Sequence, residues 1–243
     1  MHGKGTAAAA HRQKIMKART QPRNEARRSK VLIVDDHPIT RHGLAQLLNH
    51  EADLCVCGEA EDAQKALGLI KSLEPDLVLS DITMAGKSGL ELIKDMQALH
   101  PHVAVLVLSM HDESLYAERI LRAGARGYLM KSAGGAELLV AIRQVLRGEV
   151  YLSKKMSAKM INLLSGTRTK KNRSALEMLT DREFEVFQLL GQGLSTREIG
   201  QRLHISSKTV DTHRLNIKDK LNLRTLPELM RYAVRWGATQ ALI

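Results

Sequence analysis

Asp35 and Asp36 follow the aliphatic run Val31-Leu32-Ile33-Val34, and Asp81 follows Leu77-Val78-Leu79-Ser80. Ser109 follows Val103–Leu108, and Lys131 follows Gly127–Met130. Three carboxylates gathered in one small site repel one another unless a cation sits among them. Oxygen-only ligands with room for waters suit Mg²⁺. An Asp beside a divalent ion and a Lys is a competent phosphoryl acceptor, because Asp can form an aspartyl-phosphate. The metal and the ammonium then offset the charge that builds on the phosphoryl oxygens. The hydroxyl of Ser109 can bond such an oxygen once one is present. A lone Asp past a strand is most often a loop residue or a helix cap. Asp81 matters only if the fold brings the others to it.

The surrounding pattern does so. The run at Val31–Val34 reads as a buried strand, and Pro38 suits the first turn of a helix with Leu44, Leu47 and Leu48 inward. Leu54–Gly58 is a second strand, followed by a helix capped by Asp62. Leu77–Ser80 is the third strand, and Gly86 and Gly89 mark the loop before a helix carrying Leu90, Leu92, Ile93 and Met96. Val103–Leu108 is the fourth, with a helix over Glu113–Ala123 that stops at Gly124. Gly127–Met130 is a short fifth strand, and Glu137–Leu146 a closing helix. Short apolar strands alternating with helices predict a doubly wound, flavodoxin-like sheet of five parallel strands buried on both faces. In such sheets the carboxyl ends of the strands converge on one rim. All five residues lie there.

At 243 residues the chain has length for two domains, and its charge divides the same way. Residues 1–30 carry nine Lys/Arg and one acid, whereas residues 31–152 carry eleven Lys/Arg and seventeen acids. Residues 153–243 carry seventeen Lys/Arg and eight acids, which makes the C-terminal part a candidate for binding nucleic acid. Cys55 and Cys57 fall on one face of a strand, where a disulfide is geometrically poor and buried packing is the expected role. No stretch is long and apolar enough for a membrane span, and there is no signal-peptide core, so a cytoplasmic location with no membrane partner is expected. Residues 1–28 read as a disordered basic extension, 29–148 as the first domain, 149–175 as a linker whose first part is compatible with a helix, and 176–243 as a second domain.

That second domain reads as wholly helical. Thr180-Asp181-Arg182-Glu183 is a capping box, and Ser195 with Glu198 is another. Thr196–Leu203, a tight turn at His204-Ile205-Ser206, and a basic helix over Ser207–Leu221 form a helix-turn-helix, whose second helix enters the major groove of DNA. A fourth helix is expected over Leu226–Trp236. Val210, Ile217 and Leu221 form the inner stripe of the third helix, flanked by residues 213 and 214. Lys208, Asp211, Thr212 and Leu215 share its outer face. An exposed Leu among polar residues is explained by apolar contact with a base. Lys208, Thr209, His213, Arg214, Asn216, Lys218 and Lys220 are placed to include phosphate contacts, which position rather than specify.

Residues 30–148 resemble the receiver domain of bacterial two-component response regulators, on the strength of Asp35, Asp36, Asp81, Ser109 and Lys131 at their strand ends. About residues 176–240 resemble the LuxR-type helix-turn-helix, through Leu179-Thr180-Asp181-Arg182-Glu183, Gly193-Leu194-Ser195-Thr196-Arg197-Glu198-Ile199 and Ser207-Lys208-Thr209-Val210-Asp211-Thr212-His213-Arg214. Together they resemble the NarL/FixJ group. The resemblance implies that Asp81 is the phosphoacceptor, served by a sensor histidine kinase. It implies that Asp35, Asp36, Asp81 and the backbone carbonyl of Thr83 hold Mg²⁺, that Lys131 binds the phosphoryl group, and that Ser109 and Tyr128 are a switch pair. It further implies a transcription factor that dimerises when phosphorylated, pairs through its fourth helix, binds repeated half-sites in promoter DNA and has RNA polymerase as a possible partner. It implies no enzyme beyond slow self-dephosphorylation. The family's usual Pro after the acceptor is replaced by Ala85, a departure that implies a less rigid loop there. Two rival readings stand beside this one. A phosphohydrolase of the haloacid dehalogenase type would need a second Asp where Thr83 stands. A constitutive DNA-binding protein, with the first domain only a dimerisation module, would be favoured by a missing acid or Lys, and none is missing.

Overall fold

The computed structural model describes residues 27–84, 87–111, 113–164 and 175–240. Ala85, residues 1–26 of the basic extension and residues 165–174 of the linker fall outside them, so the expectations placed there are not addressed by the structure.

Five parallel strands form one sheet: β1 (Ser29–Val34), β2 (Leu54–Ala60), β3 (Leu77–Ser80), β4 (Ala104–Ser109) and β5 (Gly127–Met130), in the order β2-β1-β3-β4-β5. Period-two alternation sends Val31 and Ile33 of β1 to one face and Leu32 and Val34 to the other. Helices α1 (Pro38–Asn49) and α5 (Gly135–Leu146) cover the first face. Helices α2 (Ala63–Leu73), α3 (Gly89–Leu99) and α4 (Glu113–Ala123) cover the second. Burial on both sides explains why the strands read as unbroken apolar runs.

The caps match their residues. Pro38 opens α1, the Asp62 carboxylate accepts from the Lys65 N–H, and Ser88 with Glu91 closes a capping box on α3. Gly89 meets a special demand, since a Cβ there would lie 2.2 Å from the backbone oxygen of Asp81. A residue without a side chain lets α3 start against the backbone of Asp81.

Three details depart from the sequence reading. The β1–β2 register jumps between Val31↔Val56 and Leu32↔Gly58, so Cys57 is the extra residue of a bulge and the strand runs on to Ala60. Cys55 and Cys57 are half-buried thiols on this edge strand rather than buried ones. The second departure is at Tyr151, read as the start of the linker. It pairs in parallel with Gly127, and its backbone oxygen accepts the N–H of Tyr128 at 3.1 Å, so the chain adds a short position beyond β5. Helix α6 (Lys154–Leu164) follows, its entry fixed by Ser153. Thirdly, the last helix runs beyond Trp236.

A 3₁₀ turn (Ala175–Met178) leads to α7 (Asp181–Gly191), α8 (Thr196–Leu203), α9 (Ser207–Lys220) and α10 (Leu226–Gln240). Both expected capping boxes form, at Thr180/Glu183 and Ser195/Glu198. The turn between α8 and α9 passes through His204 at φ 53°, and a Cβ on Gly200 would meet the oxygen of Ile205 at 2.8 Å. The tight turn therefore depends on Gly200. Among the described residues no helix is long and apolar enough to cross a membrane.

Candidate functional site

Strand register assembles the rim. Val34 pairs with Ser80 and Ser109 with Met130, so Asp35 and Asp81 emerge in step, as does Lys131 beside Ser109. Backbone bonds carry the register one residue further: Asp81 N–H donates to the Val34 oxygen at 2.8 Å, and Lys131 N–H to the Ser109 oxygen at 2.7 Å. The switch point of this strand order lies between β1 and β3, where ligands bind in such sheets.

The ammonium of Lys131 sits between two buried carboxylates, 2.6 Å from Asp35 Oδ2 and 2.7 Å from Asp81 Oδ2. Asp81 Oδ1 accepts from the N–H groups of Ile82 at 2.6 Å and Thr83 at 3.2 Å. Burial pushes the Asp81 carboxyl above its ordinary value, with the bond from Lys131 working against that rise. Burial pulls at Lys131 in the opposite sense, but the bonds to Asp35 and Asp81 prevail and its ammonium is held on.

Asp35, Asp36, His37 and Asp81 each offer a ligand atom, all within 4.8 Å of one another. Asp36 Oδ1 is buried and makes no hydrogen bond among the described residues. The Nδ1 atom of His37 lies 2.7 Å from it, without the alignment of a hydrogen bond. A convergent oxygen set with an orphaned carboxylate oxygen fits a hard divalent cation. His37 adds a nitrogen donor at its edge, and the sequence reading did not place it.

Behind the rim lies His111, also unforeseen. Its N–H donates to Ser109 Oγ at 3.2 Å and its carbonyl accepts the Tyr128 hydroxyl at 2.5 Å. Its Nε2 lies 2.8 Å from Thr83 Oγ1. Its ring stacks on Tyr116 of α4, with centroids 5.1 Å apart at 29°. Burial, aided by the charge of Lys131, holds the imidazole below its ordinary value, so the ring is neutral at pH 7.

The α3–α4 face meets α7. Asp181 accepts from Lys94 at 2.6 Å and Arg119 at 3.0 Å. Arg119 also donates to the Leu176 oxygen and lies 4.8 Å over the ring of Phe184. The Tyr116 hydroxyl donates to Gln188 Oε1, and the ring packs edge-on against Phe184 at 5.2 Å. Gln188 Nε2 is buried and finds no partner among the described residues, a cost of about 1–3 kcal/mol that leaves this contact short of its full strength.

The third helix of the second domain sorts as its period requires. Val210 and Ile217 are buried, whereas Lys208, Thr209, Asp211, Thr212, Leu215 and Asn216 are exposed, Leu215 to 48 %. The contact between α7 and the first domain therefore leaves this face open to solvent. Arg214 reaches Thr196 Oγ1 at 2.7 Å and Asp211 Oδ1 at 2.8 Å, tying α9 to α8. His213 is half-buried, and Lys218 lies 3.0 Å from Asp219. The ammonium of Lys220 is held within the domain, 2.6 Å from the buried Glu183.

Residues 31–143 match the response regulator receiver domain, and residues 177–233 match the bacterial regulatory proteins of the luxR family. The oxygen regulatory protein NreC of Staphylococcus aureus is 35 % identical over 210 residues, which is 85 % of this chain and 97 % of the relative. This chain belongs to the NarL/FixJ group of two-component response regulators. A LuxR-family two-component response regulator from Aurantimonas sp. SI85-9A1 superposes on this response regulator with a TM-score of 0.53 at 32 % identity, covering 57 % of this chain and 99 % of that one. The RcsB response regulator of Salmonella typhimurium shares the fold, with a TM-score of 0.65 at 24 % identity over 86 % of this chain and 98 % of that one.

Proposed function

We propose that this response regulator is switched by transfer of a phosphoryl group from a sensor histidine kinase to Asp81, and that the switch governs its binding to promoter DNA. The observation that carries the reading is the Lys131 ammonium bridging Asp35 and Asp81 at 2.6 and 2.7 Å. An acceptor this buried tends to protonate, and a protonated carboxyl is a poor nucleophile. Lys131 opposes that, and the N–H groups of Ile82 and Thr83 fix the carboxylate's orientation.

The carboxylates of Asp35, Asp36 and Asp81, with the backbone carbonyl of Thr83, would hold Mg²⁺. When bound, the ion supplies charge neutralisation for the phosphoryl oxygens. A carboxylate oxygen of Asp81 attacks phosphorus, the bond to the donor nitrogen breaks, and the electron pair leaves with the imidazole of the kinase. Lys131 then pairs with the new anion. Ser109 turns its hydroxyl toward it, and Tyr128, already buried beneath the rim, follows as the second half of the switch. Thr83 stands where a phosphohydrolase would need an acid, and its hydroxyl is spent on His111. Turnover is accordingly confined to slow loss of the protein's own phosphoryl group.

On DNA, α9 enters the major groove with Thr212, Leu215 and Asp211 toward base edges, and Lys208, Thr209, His213, Arg214, Asn216 and Lys218 supply backbone contacts. Lys220 serves the helix from inside, through Glu183. The phosphorylated protein acts as a homodimer on repeated half-sites, in the cytoplasm, with RNA polymerase a further partner. The test is intact mass after incubation with acetyl phosphate and Mg²⁺. One phosphoryl group per chain is expected, absent in Asp81→Asn and absent when Mg²⁺ is chelated. Equal labelling of Asp81→Asn would move the acceptor elsewhere.

A further inference from the structure

The proposed switch has two ends, a phosphoryl site on the rim and a DNA-binding domain held on α3 and α4. His111 touches the machinery of both. Its backbone N–H and carbonyl are bonded to Ser109 and Tyr128, and its ring nitrogen to Thr83. Its ring face lies on Tyr116, which is buried, bonds Gln188 and packs on Phe184 of α7. Phe184 in turn packs on Trp236 of α10, 5.9 Å between centroids. A continuous chain of contacts thus runs from the rim to the core of the second domain.

We propose that His111 is the positioning residue that couples the phosphoryl site to the DNA-binding domain, by setting the place of Tyr116 against Gln188 and Phe184. The proposal rests on the phosphoacceptor reading of Asp81. Ser109 Oγ is the acceptor for the His111 N–H, so a Ser109 hydroxyl that turns toward a phosphoryl group gives up that bond. Tyr128 is tied to the same residue's carbonyl, so movement of either half of the pair displaces His111. The stack on Tyr116 then shifts, and with it the bond to Gln188. Since the exposed face of α9 is already open while α7 is docked, the coupling does not work by uncovering that face. It works by letting α7 and its domain leave the α3–α4 surface. Coupling free energies are reciprocal. Whatever loosens the α7 contact must also favour the phosphorylated receiver.

The test uses full-length parent, His111→Ala, Gln188→Ala and the double variant. Each is incubated with acetyl phosphate and Mg²⁺, and phosphoryl incorporation is timed. DNA affinity is measured with and without the donor on a duplex selected in vitro by the parent. The quantity read is the ratio of the two affinities. Either single variant is expected to lower that ratio by about fivefold or more, the scale of ordinary allosteric coupling. The double variant is expected to go no further than the singles, because both cut one chain of contacts. A His111 that only supports the fold would weaken both states alike and leave the ratio intact. A parent-like ratio in labelled His111→Ala, or additive losses in the double variant, overturns the proposal. Gln188→Ala changes a half-buried side chain outside the rim and keeps the test decisive should His111→Ala fold poorly. Absence of labelling in the parent overturns the phosphoacceptor reading itself, and this proposal with it.

Discussion

Lys131 and Asp81 are fifty positions apart in sequence and follow strands β5 and β3, which β4 separates, yet their charged atoms lie 2.7 Å apart on the carboxyl-end rim of the sheet. Both side chains are largely buried, 12 % and 5 % exposed. Removing one partner of such a pair strands the other charge in low dielectric. Lys131→Ala is expected to destabilise the receiver by about 3 kcal/mol in chelator, and millimolar Mg²⁺ is expected to restore much of it. Urea denaturation at two Mg²⁺ concentrations checks this. An equal loss in both conditions would mean that no cation replaces the ammonium.

The ion pairs of Asp181 in the α7 contact should be insensitive to pH through the neutral range. Burial works to raise the Asp181 carboxyl, but Lys94 and Arg119 outweigh it and hold it below the ordinary carboxylate value. A depressed folded-state value means stability that is present above the unfolded value and lost as pH falls through the folded one. The contribution of Asp181 to docking should therefore hold constant from pH 8 to 5 and weaken only below about pH 4. Small-angle scattering across that range reads it. Asp181→Asn should loosen the contact at every pH, by about 1 kcal/mol, since Lys94 is largely exposed and screened.

On DNA, Lys208→Ala should weaken binding to all sequences and reduce the salt slope by about 1. Changing Thr212 or Leu215 should alter preference at one base pair by about 1–3 kcal/mol while leaving the slope alone. Anisotropy titrations at several salt concentrations separate the two. If both substitutions weakened every duplex equally, the base-reading face would lie elsewhere.

Lys220 should behave unlike Lys208, although both are cations on α9. Its ammonium is bonded to Glu183, which is also the N3 residue of the α7 capping box. Lys220→Ala should lower the stability of the second domain by about 1 kcal/mol and leave the salt slope near the parent's. A loss of slope equal to that of Lys208→Ala would return Lys220 to the phosphate contacts.

The rim was legible because strand ends in a doubly wound sheet converge by topology, so Asp35, Asp81, Ser109 and Lys131 needed only the βα pattern to be placed together. The caps at Thr180 and Ser195 were legible because capping is local chemistry. The role of Lys220 was not, because the helical period gives a face but not the partner that reaches it from another helix. His111 was invisible for a related reason. Three of its four contacts follow from how the loop after β4 folds back on the rim, and the fourth from α4. The α7 contact arises from Lys94, Tyr116, Arg119 and Asp181, whose positions on their helices do not reveal a partner in another domain. The bulge at Cys57 and the pairing of Tyr151 are set by register, which alternation alone does not reveal.

The most direct measurement is the affinity of parent and Asp81→Asn for a selected duplex, by anisotropy, with and without acetyl phosphate and Mg²⁺. The account predicts that the donor shifts the parent's affinity by about fivefold or more and leaves Asp81→Asn unmoved. A shift of the same size in both proteins, or a labelled parent whose affinity stays fixed, would contradict control of DNA binding through Asp81.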